Sequence, residues 1–235
     1  MQHHREFGRF AEDYGRYSLI QERVAKALAV KVGGGFRRIV DIGCGSGGFF
    51  RAYEHPLTYY CAVDFSETML DLHPDGERVE KIVGDFDDPA LYRRLSGIDF
   101  DLLVSSSALQ WSRDLDLALG RIAALNRPVA LAIFTSGTFA SLHETAGTGS
   151  PIRSEEETID AVKRHFDAAV DTLRYRLYFK ERLSMLRYIK RSGVSGGRQR
   201  LTYSETKKIV ESYPLPYLEF EVVRAVSVNQ SQKSP

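Results

Sequence analysis

Asp41 stands two residues before the run Gly43-Cys44-Gly45-Ser46-Gly47-Gly48, and two further acids, Asp64 and Asp85, follow at intervals that suit successive strand–helix units. Glycines allow positive φ and close backbone approach, so a ligand can lie against this turn and the N-terminus of the helix beginning near Phe49. The chemistry expected is nucleotide binding. Gly43, Gly45 and Gly48 also satisfy the dinucleotide pattern G-x-G-x-x-G, so the glycines alone leave a nicotinamide cofactor and a sulfonium nucleoside both open. The acids separate them. Asp41, at the C-terminal end of a strand, suits the positive amine of S-adenosylmethionine and repels a pyrophosphate. Asp64, with Phe65 beside it, is placed to accept both ribose hydroxyls, and Asp85 with Phe86 offers a polar contact to the adenine amine and a ring beside the base. A nicotinamide enzyme remains the runner-up.

The fourth apolar run closes in Ser105-Ser106-Ser107-Ala108-Leu109-Gln110-Trp111, at the strand edge where doubly wound sheets present their ligands. Ser105 joins the cofactor set of Asp41, Gly43, Cys44, Gly45, Gly47, Asp64, Phe65, Asp85 and Phe86, while Gln110 and Trp111 are expected to face the cofactor or the reacting group. The six histidines show no ligand spacing with cysteine or paired carboxylates, so no metal is expected. Cys44 and Cys61 fall in a cofactor loop and an interior strand, and both are expected to be reduced.

The elements that must position these residues alternate in type. Phe7, Phe10, Ala11, Tyr14 and Tyr17 recur at helical spacing, and Ser18 with Gln21 has capping-box spacing for a second helix carrying Ile20, Val24 and Leu28. Gly33-Gly34-Gly35 ends it. Strand-length apolar runs follow at 38–42, 58–63, 81–83, 100–105 and 129–135, separated by helical segments of which Leu115, Leu119, Ile122 and Leu125 make the clearest face. Strand and helix in alternation predict an α/β fold built on a doubly wound parallel sheet. Further on, Ile159, Val162 and Phe166 predict a helix, 172–179 a strand, and Leu183, Leu186 and Ile189 another helix. Leu218, Phe220 and Val222 alternate with Glu219 and Glu221, as expected of a last strand joining the sheet.

At 235 residues, with 43% hydrophobic and 27% charged residues, one globular domain is expected. Its parts would be N-terminal helices at 5–32, a cofactor core at 38–136, a substrate or lid region at 137–200, and a final helix and strand at 202–228. A net charge of +1 points to neither nucleic acid nor a membrane surface as partner. The first ten residues lack an apolar export segment, and no run reaches the roughly 18 apolar residues of a membrane span, so a cytoplasmic location is expected. Charge is nonetheless uneven: from 172 to 200 the basic residues Arg174, Arg176, Lys180, Arg182, Arg187, Lys190, Arg191, Arg198 and Arg200 are opposed only by Glu181.

An acid, a G-x-G-x-G turn, and an acid after each of the next two strands is the pattern that the class I methyltransferases carry, and the chain resembles that family. It also resembles the malonyl-acyl-carrier-protein O-methyltransferases of biotin synthesis. That second likeness rests on Leu109-Gln110-Trp111, Leu142-His143-Glu144, Arg187-Tyr188-Ile189-Lys190-Arg191-Ser192-Gly193 and, near the start, Phe7-Gly8-Arg9-Phe10-Ala11 with Tyr14. Two departures are Ser106, where the family usually has Asn, and the insertion after His143, which is short here. The resemblance implies a Rossmann-like, mostly parallel sheet of seven strands with helices on both faces and N-terminal lid helices. It implies S-adenosylmethionine as cofactor, an acyl carrier protein bearing a malonyl thioester as partner, and a methyl ester that primes pimeloyl and biotin synthesis. Tyr14 and His143 would lie over the pocket, and an arginine, Arg187 or alternatively Arg153, would hold the substrate anion. Two rivals are a methyltransferase for another small acid and a non-catalytic protein that binds the same cofactor.

Overall fold

A computed structural model describes residues 18–191 and 203–227, without the side chains of Lys190, Arg191 and Tyr203. The expected helix around Phe7–Tyr17, with Tyr14 in it, and Arg198 and Arg200 lie outside the described residues. In chain order the elements are α1 (Leu19–Val32), β1 (Arg38–Ile42), α2 (Gly48–Ala52), β2 (Tyr59–Asp64), α3 (Glu67–Asp71), β3 (Val79–Val83) and α4 (Pro89–Leu95). They continue with β4 (Leu102–Ser106), a 3-10 turn (Leu109–Trp111), α5 (Leu115–Ala124), β5 (Val129–Phe134), α6 (Ala140–Ala146) and α7 (Glu155–His165). The last are β6 (Ala168–Tyr178), α8 (Arg182–Arg191), α9 (Tyr203–Ser212) and β7 (Tyr217–Ser227).

The strands form one seven-stranded sheet in the order β3-β2-β1-β4-β5-β7-β6. β1 to β5 are parallel, whereas β7 runs antiparallel to both β5 and β6. Because side chains alternate across a strand, the sheet feeds two hydrophobic layers. On one face Ile39, Ala62, Leu102, Val104 and Phe134 pack with Ile20, Val24 and Leu28 of α1. On the other Val40, Val63, Leu103, Leu131 and Ile133 pack with Leu91 and Leu95 of α4 and Leu115, Leu119 and Ile122 of α5. The chain winds outward one way through β2 and β3 and the other way through β4 and β5. The crevice at that reversal, outside the carboxyl ends of β1 and β4, is where such sheets bind ligands.

Two local expectations change. Ser18 does precede α1, but its backbone is not extended and it makes no side-chain cap; its hydroxyl instead donates to Glu22 Oε1 at 2.8 Å. The strand expected at 172–179 begins earlier, at Ala168, because the register carries Ala168 opposite Ser227 and extends the ladder below the apolar stretch. A true capping box is found at α7, where Ser154 and Glu157 satisfy each other's backbone N–H groups. Ser154→Ala is therefore expected to lower stability by about 1 kcal/mol in urea denaturation.

Candidate active site

β1 delivers Asp41 to the crevice and hands the chain to the glycine turn. Gly43 (φ +72°) donates to Val63 O at 2.7 Å, and Cys44 donates to the same carbonyl at 3.0 Å, which seats the turn on the end of β2. Asp64, at that end, accepts from Gly45 N and from Ser66 N, each at 2.9 Å. Oδ2 thus braces the glycine turn that Asp64 faces, and Oδ1 holds the turn that follows Asp64 itself. A Cβ at Gly43 would meet Ala108 Cβ at 2.2 Å, so the turn after β4 lies directly against the glycine turn. Gly47 (φ +89°) has a different neighbour: a Cβ there would come 2.8 Å from both the His73 ring and the Pro74 ring, behind the loop.

These walls enclose a cleft of about 860 Å³ including its mouth. Asp41, Gly43, Cys44, Gly45, Asp64, Phe65, Phe86 and Trp111 all line it. Asp41 is 1% exposed; Tyr60 donates to its Oδ2 at 2.6 Å, while Oδ1 is buried with no partner. Burial pushes its carboxyl up to about 7; the Tyr60 hydrogen bond opposes that rise and the charge of Asp64 adds to it. An orphaned buried acceptor on a cleft wall calls for a positively charged donor, because an unpaired buried acceptor costs about 1–3 kcal/mol. The ammonium group of S-adenosylmethionine fits that demand, and the bare turn beside it fits the close approach of its methionyl part. Burial also pushes the Cys44 thiol upward, so it stays protonated and is no nucleophile.

Other residues singled out in the sequence lie off this lining. Asp85 Oδ1 accepts from Asp87 N at 2.8 Å and so stabilises its own turn, leaving Gly84 and Phe86 on the wall. Ser105 is fully buried and donates to Ile42 O at 2.8 Å, tying β4 to β1. Gln110 is buried, donating to Ser107 O at 2.6 Å and accepting from Phe134 N at 3.4 Å. Arg153 donates to the carbonyls of Ser112 and Arg113 at 3.2 and 3.3 Å. His143, half-buried on α6, has Nδ1 3.2 Å from Thr148 Oγ1, and burial holds its pKa down; Arg187 is exposed on α8.

Several lining residues had not been read as site residues: Ser18 just before α1, Gln21, Glu22 and Ala25 from α1, Arg51 from α2, Met69 from α3, and Ser107 with Ala108 after β4. The α1 group was findable in principle. Positions 18, 21, 22 and 25 form a polar and small-residue stripe alongside the apolar Ile20, Val24 and Leu28. Among the described residues Arg51 is the cationic side chain on the wall, and its Nη1 donates to Ser46 O at 2.6 Å.

A turn of bare backbone, a buried acid with a free oxygen, a second acid bracing the turn and two aromatic rings, all at the switch point of a doubly wound sheet, define an S-adenosylmethionine-dependent methyltransferase. Residues 40–131 match a methyltransferase domain family. The YcgJ protein of Bacillus subtilis has a similar fold, with a TM-score of 0.59 over 87% of this chain and 98% of its own at 13% identity. Closer in sequence is a malonyl-[acyl-carrier protein] O-methyltransferase from Chlorobium luteolum, 30% identical over 92% of this chain and 89% of the relative. One from Salmonella typhimurium is 28% identical over 88% and 87%. The chain belongs to the malonyl-[acyl-carrier protein] O-methyltransferase family.

Proposed function

We propose that the protein methylates the free carboxylate of a malonyl thioester carried on an acyl carrier protein. The observation that carries this reading is the likeness to the Chlorobium luteolum enzyme, which runs along 92% of the chain rather than stopping at the cofactor half. Asp41 is the group proposed to receive the ammonium of the donor, Asp64 its ribose hydroxyls, Phe65 and Phe86 its base, and Gly43 to Gly45 its close approach. The donor supplies, when bound, a methyl group on positively charged sulfur that the acceptor's carboxylate oxygen displaces in line, so a cationic sulfonium and an anionic carboxylate become a neutral thioether and a neutral ester. A carboxyl group with a pKa of roughly 4 is already ionised at neutral pH, so the protein need supply no general base. Its contribution is orientation and exclusion of water, and holding two reactants in line can be worth about 7–11 kcal/mol. Trp111, with Tyr14 from the N-terminal segment, is proposed to border the acceptor.

The test is mass spectrometry of malonyl-carrier incubated with enzyme and cofactor. The expected product is heavier by one CH2 unit, a methyl in place of the carboxyl proton, and reverts on alkaline hydrolysis. Transfer only to a free small acid would overturn the malonyl reading, and tight cofactor binding with no transfer to either would favour a binding protein. The carrier is proposed to dock on the basic stretch that holds Arg176 and Arg187, both exposed, and that continues in sequence to Lys190 and Arg191. Complementary charge speeds encounter and selects the partner. Reversing Arg187, Lys190 and Arg191 to Glu is expected to raise KM for the carrier-bound substrate by about 10-fold while sparing a coenzyme A thioester. Equal effects on both substrates would rule that docking surface out.

A further inference from the structure

Two hydroxyls on the cleft wall have no partner. Ser106 Oγ and Ser107 Oγ are buried and accept or donate no hydrogen bond, yet both residues line the cleft beside Trp111. Their backbone is held in an unusual shape to put them there. Ser107 has φ +65°, a left-handed conformation that costs a non-glycine residue about 1–2 kcal/mol. The surroundings over-determine it: Ser107 N donates to Ala132 O at 2.8 Å, and its carbonyl accepts from Gln110 Nε2 at 2.6 Å. Gln110 is in turn tied to Phe134 N at the end of β5. Strain held at a pocket wall by several hydrogen bonds is a mark of a functional element.

We infer that the Ser106–Ser107 hydroxyl pair binds the carboxylate that is to be methylated; this rests on the reading of the cleft as a carboxyl methyltransferase site. A carboxylate at this end of the cleft could come from the acceptor or from the methionyl part of the cofactor. Charge distribution favours the acceptor. The acids on the wall, Asp41, Asp64 and Glu22, offer an anion nothing, and Arg51, the cation on the wall, is turned to Ser46 of the glycine turn. The hydroxyls stand on the turn after β4, where Ala108 meets the position that a Gly43 Cβ would take. Arg153, an arginine that could hold an anion, is not on this wall, and its Nη2 donates to the carbonyls of Ser112 and Arg113. Neutral donors also suit the chemistry. A bidentate arginine would draw charge from the oxygen that must attack, whereas two hydroxyls orient it and leave its charge largely in place.

The test uses Ser106→Ala, Ser107→Gly and Ser107→Asn. Glycine and asparagine both tolerate the left-handed backbone, so that pair differs in the polar group rather than in the fold. Ser106→Ala and Ser107→Gly are each expected to raise KM for malonyl-carrier about 10-fold or more, the loss typical of a hydrogen bond to a charged group. Ser107→Asn should stay within about 3-fold of wild type, and the calorimetric Kd for S-adenosylmethionine should be unchanged in all three. If the Kd weakens and KM does not, the hydroxyls serve the cofactor and the inference fails. It fails equally if neither constant moves. Should the wild-type enzyme leave malonyl-carrier unmethylated, the proposed function falls and takes this inference with it, an outcome visible before any variant is made.

Discussion

Asp41→Asn is expected to raise the melting temperature of the ligand-free protein at pH 8 while weakening S-adenosylmethionine binding by about 100-fold or more. Both effects come from the same carboxyl. Folding buries it and raises its pKa from 3.8 to about 7, so the unfolded chain ionises first. The native state therefore loses stability as pH rises from about 4 to about 7, and above that the penalty is constant. A neutral amide carries no such penalty. It can still accept from Tyr60, so the variant should gain about 2–4 kcal/mol at pH 8, or roughly 5–10 °C, and little at pH 4. The cofactor loses the opposite way, because an amide in place of the free Oδ1 offers its ammonium no negative charge. In the wild type the same titration makes cofactor affinity fall about tenfold per pH unit below 7, with about one proton released on binding at pH 6. Calorimetry in buffers of different ionisation enthalpy counts that proton. A stabilisation of equal size at pH 4 and pH 8, or undiminished cofactor affinity, would show that the buried carboxyl is not the binding charge.

Gly43→Ala is expected to cost about 2–4 kcal/mol of stability and to lower kcat/KM by about 100-fold or more, through two separable terms. One is the backbone: at φ +72° an alanine pays about 1–2 kcal/mol. The other is the contact of the new methyl with Ala108, whose Cβ would lie 2.2 Å away and must retreat together with Ser107. That retreat would move the hydroxyl lip as well as the cofactor turn. The double variant Gly43→Ala/Ala108→Gly removes the contact and leaves the strain, so it should recover all but about 1–2 kcal/mol of the lost stability and most of the cofactor affinity. Chemical denaturation and cofactor titration of the three proteins decide the matter. A double variant no better than the single one would mean that the turn after β4 is not what Gly43 makes room for.

The cofactor side of the site was legible because it is contiguous. A strand, a glycine turn and a helix start within a dozen residues put Asp41, Gly43 and Gly45 in place by local geometry, and the same holds for Asp64 and Phe65 at the end of β2. The strands and most helices were legible for a related reason: continuous apolar runs of strand length, and a 3.6-residue apolar period for helices, are properties of the chain itself. The substrate side was not. Ser105, Ser106 and Ser107 are three identical letters, yet one ties β4 to β1 and two turn to the cleft, and only the register of β4 between β1 and β5 together with the strained turn distinguishes them. Gln110 read as a contact to the cofactor or the reacting group, and it is the staple that holds that turn to β5.

The sequence by itself thus determined that this chain winds a sheet around a sulfonium nucleoside, since the residues concerned are neighbours along the chain and their conformations are set by their own backbone preferences. Which face of α1 borders the cleft, which arginine is engaged elsewhere, that Ala108 closes on Gly43, and that β7 enters antiparallel beside β5 were decided by tertiary structure alone. Each depends on a contact between segments far apart in sequence, and nothing in either segment's local pattern records the distance to the other.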